Sequence, residues 1–418
     1  MNWQMVALNA VAEIQGGIQK QPKRTPRQNA YPFLRVANVT KFGLELDDLH
    51  AIELFEGEIE RYRLQRGDLL VVEGNGSASQ IGRAAVWDGS IPDAVHQNHL
   101  IRVRPGARVD PRYLGHIWNS PAIRGELSWV ASSTSGLHTL SVAKLKRIAL
   151  PLPSLAEQRR IVDLLEDHLS RLEAAETNLD HAARRLELWH QKAVDMSIWS
   201  METTCTPVGD LLREPMRNGR SDRAVKGAEP GIRTLTLTAV TKNSFTEANT
   251  KLTITTHERA AGLWLEPGDI YVQRSNTPEL VGSSALYTGA KDWAIFPDLL
   301  IRLRADESKV DPRFLASALQ SERGHDQLRR KAKGLAGSMP KIDQKAIADV
   351  LVPVPDATTQ RQIIERVERV SSARETQIEA IGRMRLRVAS LRRSLFAAAF
   401  SGRLTNSSNE LLEELESV

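Results

Sequence analysis

Apolar and polar positions follow two rhythms along this chain, and each rhythm occurs twice. In the first, short apolar runs such as FLRVANVT (33–40), DLLVVE (68–73), AAVW (84–87) and HLIRVRP (99–105) are separated by Gly, Asn and Ser clusters. A short helical stretch follows each Asp-Pro-Arg, so this part reads as a mixed α+β domain. The second rhythm begins after a Pro-x-Pro stop and a capping residue, Ser154 with Glu157 three positions on, or Asp356. From there apolar residues recur at alternating intervals of four and three. The first series is Ile161, Leu165, His168, Leu172, Ala175, Leu179, Ala182, Leu186, Trp189, Ala193 and Met196, apolar at 10 of 11 positions. The second is Ile363, Val367, Val370, Arg374, Gln377, Ile381, Met384, Val388, Leu391, Leu395 and Ala398, apolar at 9 of 11. A composition of 41% apolar residues predicts about 4 or 5. So narrow a stripe favours a partner helix over a broad core, and the two long helices are expected to form a coiled coil with each other rather than each lying on its own domain.

The two halves are copies. Gly67-Asp68 recurs as Gly268-Asp269, Gly82 as Gly282, and Leu100-Ile101-Arg102 as Leu300-Ile301-Arg302. Val109-Asp110-Pro111-Arg112 recurs as Val310-Asp311-Pro312-Arg313, and ALPLPSLAEQRRIV (149–162) faces LVPVPDATTQRQII (351–364). An offset that drifts only between 200 and 202 over about 95 residues marks an internal duplication. The expected order is a domain over 1–153, a long helix over 154–200, a second domain over 201–355, a second helix over 356–402 and a tail over 403–418.

Composition narrows the classes. The chain has 418 residues, long enough for two or more domains, and a net charge of +5 that permits an anionic partner without demanding one. A single cysteine, Cys205, leaves no disulfide and no CxxC pair. With no run of 18 apolar residues and no basic-then-apolar start, the chain reads as a cytoplasmic protein with no membrane partner.

Several strings mimic catalytic motifs. Asp110-Pro111-Arg112-Tyr113 and Asp311-Pro312-Arg313-Phe314 approach the Asp-Pro-Pro-Tyr of amino-methyltransferases but carry Arg at the third place, and they read better as helix caps with proline in the first turn. Pro297-Asp298 followed by Glu307-Ser308-Lys309 mimics a Mg²⁺-dependent nuclease, an alternative that the other copy, with Gln97-Asn98, does not repeat. His96 and His99 have a spacing that suggests a metal, but polar residues leading into a strand are the commoner reading. There is no GxxxxGK[ST] phosphate loop. The sequence thus assigns no catalytic residue, no metal site and no bound cofactor to this chain.

Two similar domains suit a ligand that itself repeats, and duplex DNA is the obvious one. Polar segments recur at equivalent places, EGNGSASQIGR (73–83) with QRSNTPELVGS (273–283), and ASSTSGLHTLSVAK (131–144) with RKAKGLAGSMPKID (330–343). Such residues reach phosphates and base edges. The expected DNA-binding residues are Asn75, Ser77, Ser133, Thr134 and His138 in the first copy, and Arg274, Asn276, Lys331, Lys333 and Lys341 in the second. A coiled-coil scaffold without nucleic acid is the remaining alternative.

With PLPSLAEQRRIV and its long helix, PVPDATTQRQII with the helix ending SLRRSLFAAAFSGRL, and the RGDLLVV, IGRAAVW and HLIRVRP runs, the chain resembles the specificity subunit of type I restriction-modification systems from Trp3 to about Leu404. Thr359 stands where the family has a capping Glu. The resemblance implies two target recognition domains, each reading half of a bipartite double-stranded DNA sequence, and two helices packed antiparallel as a spacer. It also implies two methyltransferase subunits and motor-endonuclease subunits as partners, with S-adenosylmethionine, ATP and Mg²⁺ bound by them, in a prokaryotic cytoplasm.

Overall fold

The computed structural model describes residues 3–40, 43–74, 81–131, 140–200, 202–225, 231–334 and 339–406. The chain divides into two compact units, Met1–Leu179 with Arg383–Val418, and Asp180–Gly382. In the first, strands Ala12–Gly16, Leu100–Pro105, Leu69–Val72 and Ala84–Val86 lie side by side in that order, all antiparallel. A smaller sheet orders His50–Glu53, Ala30–Leu34 and Val95–His96, its last pair parallel. Met5–Ala7 pairs with Ala149–Pro151.

The second unit repeats this order. Arg217–Asn218, Leu300–Arg304, Asp269–Gln273 and Ser284–Leu286 form its antiparallel sheet. Ile232–Leu235 pairs with Thr250–Thr253, Thr234 bridges Ile295 in parallel, and Cys205–Pro207 pairs with Leu351–Pro353.

The central strands read as unbroken apolar runs because both of their faces are covered. Successive side chains of a strand point to opposite faces. Leu69, Val71, Ile101 and Val103 enter one apolar cluster, while Leu70, Val72 and Leu100 enter another on the far side. In the second unit Ile270 and Val272 face one cluster and Tyr271 the other.

Both Asp-Pro-Arg strings are helix caps. Asp110 Oδ1 accepts from the backbone N–H of Arg112 at 2.9 Å, and Asp311 Oδ1 from that of Arg313 at 2.8 Å, with proline in the first turn of helices Pro111–Trp118 and Pro312–Gln320. The long helices run Leu155–Trp199 and Ala357–Phe400. The Thr359 exchange leaves its cap intact, since Asp356 accepts from the N–H groups of Thr358 and Thr359 at 3.0 and 3.1 Å and from the Thr359 hydroxyl at 2.6 Å.

The helices pack antiparallel as a coiled coil, with a seam unlike the simple heptad stripe. In the first unit Glu176 meets Arg392 and Glu157 meets Thr405 just beyond the second helix, while in the second unit Glu187 meets Arg374 and His190 meets Ser371. In each unit residue numbers rise on one helix as they fall on the other. Ile161 and Leu165 are fully buried with Leu395 in the first unit's core, against which Leu172 is partly buried. Ile363 is buried in the second core, with Val367 partly buried against it. The helix ends are therefore parts of the domain cores, each full burial contributing about 1.5–3 kcal/mol. Between the ends, Leu179, Leu186, Ile381 and Leu391 are half-buried and Val388 is buried. Arg374, a polar interruption in the stripe, reaches Glu187 Oε2 through Nε and Nη2 at 2.8 and 2.6 Å.

Trp189 is a correction, because it is 51% exposed rather than in the seam. A straight α-helix drifts about 20° per heptad from a strict seven-residue repeat. Trp189 lies four heptads beyond Ile161 and has turned about 80° away, whereas His190 returns to within about 20° of the Ile161 direction. Residues 403–406, expected to begin a tail, form the helical turn Arg403–Asn406, with Leu404 buried in the first unit's core.

Candidate nucleic-acid interface

The strand Asp269–Gln273 delivers Arg274 to one end of the second unit's main sheet. Arg274 donates its N–H to Leu299 O at 2.8 Å, and its carbonyl accepts from Ile342 at 2.8 Å. Lys333 and Lys341 exchange two backbone hydrogen bonds at 2.8 Å, and Ser275 bridges Lys341 on the other side. The two polar segments chosen from the second copy are thus joined along their backbones.

Their side chains differ in availability. Lys333 and Lys341 are exposed, and Arg274 and Lys331 half-buried, Lys331 being the last residue of helix Glu322–Lys331. Among the described residues none of these four cations forms an ion pair, while neighbouring Arg329 and Arg330 are both held by Asp326 at 2.8 and 2.6 Å. Asn276 is tied into the fold. Its Nδ2 donates to Gln273 Oε1 at 2.7 Å and its Oδ1 accepts from Thr277 N–H at 2.8 Å. Gln273 is fully buried and donates to Leu237 O at 2.9 Å and Thr241 Oγ1 at 2.6 Å. Asn276 therefore holds the loop's shape, with one amide hydrogen and one lone pair left over.

Asn75, Ser77, Ser133, Thr134 and His138 lie outside the described residues. The backbone on which their segments begin repeats that of the second copy: Glu73 donates to His99 O at 3.0 Å and accepts from Leu140 N–H at 2.8 Å. The framework is common to the copies, and Glu73 stands where the other has Arg274.

Beneath these segments, paired ions stiffen both sheets. Arg104 meets Asp68 Oδ1 at 2.7 Å and Arg304 meets Asp269 Oδ1 at 2.6 Å, both carboxylates being buried. The bond to Asp68 raises the Arg104 pKa. Buried Arg102 reaches Glu13 at 2.5 Å, and Arg302 reaches Glu214 at 3.1 Å. Burial lowers the Arg102 pKa, with Arg104 adding to the shift and Asp68 and Glu13 opposing it.

Among the described residues the strings that mimic metal and nuclease motifs stay apart. His96 is fully buried, with the backbone of Gln15 and Tyr62 near its ring, while exposed His99 contacts Glu73 at 3.3 Å. Asp298 accepts from the Ser221 hydroxyl, and Lys309 pairs with Asp306 at 3.3 Å. The five-residue strand Leu300–Arg304, roughly 16 Å long, runs between Asp298 and the Glu307–Lys309 segment. Among the described residues no three His, Cys, Asp or Glu side chains group as metal ligands, and no helix is long and apolar enough to cross a membrane.

Sequence reasoning passed over Asn218 and Gln344. Gln344 Nε2 donates to Asn218 Oδ1 at 3.0 Å, close to Lys341. Two residues so far apart in sequence carry no spacing signal.

Two copies of one sheet framework, each ending in a polar segment of its own and each built onto an antiparallel helix pair, define a duplicated α+β protein. Residues 1–180 match the type I restriction modification DNA specificity domain. The chain is 24% identical to the type I restriction enzyme StySPI specificity subunit of Salmonella potsdam, over 96% of this chain and 89% of that relative. To the EcoKI specificity subunit of Escherichia coli K12 it is 28% identical over 42% of this chain and 38% of the relative. A chain from a solved type I R-M system assembly has the same fold with a TM-score of 0.74 and 16% identity, covering 96% of this chain and 98% of that one. The HsdS subunit of Thermoanaerobacter tengcongensis gives 0.61 at 16% identity, with coverages of 96% and 97%. Over almost its whole length the chain is thus similar to specificity subunits of type I restriction-modification systems, and its first 180 residues carry their DNA specificity domain.

Proposed function

We propose that this chain reads a bipartite sequence in double-stranded DNA, one half-site with each copy, and directs partner subunits to it without catalysing a reaction itself. The observation that carries this reading is the cluster of Arg274, Lys331, Lys333 and Lys341, cations without carboxylate partners among the described residues, at the loop end of a duplicated framework. Phosphate contacts position a protein on the duplex and base contacts specify sequence. Different side chains on one framework suit two half-sites of different sequence. The long helices, 45 and 44 residues, are each about 65 Å long and serve as the spacer.

The partners are two methyltransferase subunits and motor-endonuclease subunits, and the setting is a prokaryotic cytoplasm. S-adenosylmethionine, ATP and Mg²⁺ are bound by those subunits, and methylation of a base taken out of the stack is their work. The absence of a phosphate loop and the caps formed by both Asp-Pro-Arg strings support a non-catalytic role.

The test is methylome sequencing of cells expressing this chain with the methyltransferase subunits, alongside assays of the purified chain. A methylated split sequence that disappears without this chain supports the reading. Methyl transfer or Mg²⁺-dependent nicking by the chain alone overturns the non-catalytic part.

A further inference from the structure

We infer that Asn218 and Gln344 together read an adenine in the half-site of the second copy. This rests on the proposed reading of duplex DNA and names the group that recognises one base. Gln344 Nε2 donates to Asn218 Oδ1 at 3.0 Å, which couples the two amides. Among the described residues neither side chain makes another hydrogen bond, Asn218 is exposed and Gln344 half-buried. Beyond that bond Gln344 keeps Oε1 and one N–H, and Asn218 keeps both N–H groups of Nδ2 and one Oδ1 lone pair, so the coupled pair can set an acceptor, Gln344 Oε1, beside a donor, Asn218 Nδ2. Whichever amide donates within the pair, one amide oxygen and one amide nitrogen stay wholly free. In the major groove adenine alone presents an adjacent donor and acceptor, N6–H and N7. Guanine presents two acceptors, N7 and O6, and so offers no donor to Gln344 Oε1.

The surroundings suit that task. Gln344 opens the short helix Gln344–Ala348 three residues after Lys341, the residue bridged to Ser275 beside Arg274. Asp343 fixes the start of this helix by accepting from Ala346 N–H at 2.7 Å. Arg274 and Lys341 can hold phosphates while the amide pair faces a base edge.

The other copy keeps the backbone and lacks the pair. Asn218 aligns with Ile301 as Gly16 aligns with Ile101, so Gly16 is its counterpart. Val142 opens the helix Val142–Leu145 as Gln344 opens its own, with Ser141 capping in place of Asp343. The amide pair is therefore a property of one copy only, as a device for reading one half-site requires.

The experiment selects bound duplexes from a random pool with the methyltransferase complex containing the full chain, comparing the unaltered protein with Asn218→Ala and Gln344→Met. Met keeps side-chain length and suits the helix start. The expected result is a split sequence whose second half-site loses preference at one A·T pair, the same pair in both variants, by roughly 5- to 150-fold. The preferences of the first half-site are retained, and far-UV circular dichroism is unchanged. If the unaltered complex selects no sequence, the DNA-reading function itself falls. If it selects a split sequence and both variants keep every preference, or relax a G·C pair or the first half-site, this inference is overturned while the function stands.

Discussion

Gln158 accepts the backbone N–H of Asp110 at 2.8 Å, which locks the start of the first long helix to the cap of the helix beginning at Pro111. Its Nε2 donates to Arg108 O at 3.0 Å and Pro153 O at 2.9 Å. Gln360 repeats the arrangement with Asp311 N–H at 2.8 Å, Lys309 O at 3.4 Å and Pro355 O at 2.8 Å. Both glutamines are buried, so removing either leaves three backbone groups without partners. Gln158→Ala or Gln360→Ala is expected to destabilise by about 2–4 kcal/mol, read by urea unfolding. A loss under about 1 kcal/mol would mean that water replaces the glutamine.

Two glycines of nearly equal backbone angle separate strain from crowding. Gly67 has φ 94° and Gly268 φ 92°, both in the region that favours glycine. A Cβ on Gly67 would lie 2.9 Å from Pro111 Cγ, whereas one on Gly268 would lie 3.8 Å from Pro312 Cγ. Gly268→Ala is expected to cost about 1–2 kcal/mol from backbone strain alone, and Gly67→Ala more. Equal losses in melting temperature would show that the Pro111 contact relaxes at no cost.

His96 makes the first domain acid-sensitive. Burial, with Arg102 adding to it, pushes its pKa down to about 3, against about 6.5 when unfolded. Between those values the unfolded chain binds a proton that the folded chain refuses. Stability therefore falls as pH drops from about 6.5 towards 3, by up to about 1.4 kcal/mol per unit. The duplication supplies the control, since Phe296 occupies the matching place and packs on Tyr271 with ring centroids 4.9 Å apart. His96→Phe should flatten this part of the pH profile and stabilise the domain at neutral pH. Identical losses between pH 7 and pH 5 in both proteins would assign the acid sensitivity elsewhere.

Lys333 and Lys341 should act as phosphate contacts if the proposed interface binds DNA. Alanine at either is expected to weaken binding to all duplexes alike and to lower the slope of log affinity against log salt by about one. Titrations at several salt concentrations on specific and scrambled duplexes check this. An unchanged slope would place the phosphates elsewhere.

The duplication, the alternation of short buried strands with one long helix, and the caps at Asp110, Asp311, Ser154 and Asp356 were legible in the one-dimensional pattern. Each depends on residues a few positions apart, whose geometry is set by the strand period, the helical turn or a cap. The resemblance to specificity subunits was legible for a related reason, since PLPSLAEQRRIV and its second copy encode one helix start and one glutamine lock. Side-chain placement was less legible. The heptad count put Trp189 in the seam because a strict repeat ignores helical drift, and only packing shows where the stripe has rotated away. The tie between Asn276 and buried Gln273 is likewise set by packing and not by any periodic pattern.

The sequence by itself determined the two copies, the recurrence of short strands before one long helix and the likeness to a class of protein, because local periodicity and duplication survive in a linear string. Tertiary structure alone decided that His96 is fully buried, that Arg274 lies beside Lys341, and that Asn218 meets Gln344. Those relationships join residues distant in the chain through sheet register and packing, and no spacing along the backbone encodes them.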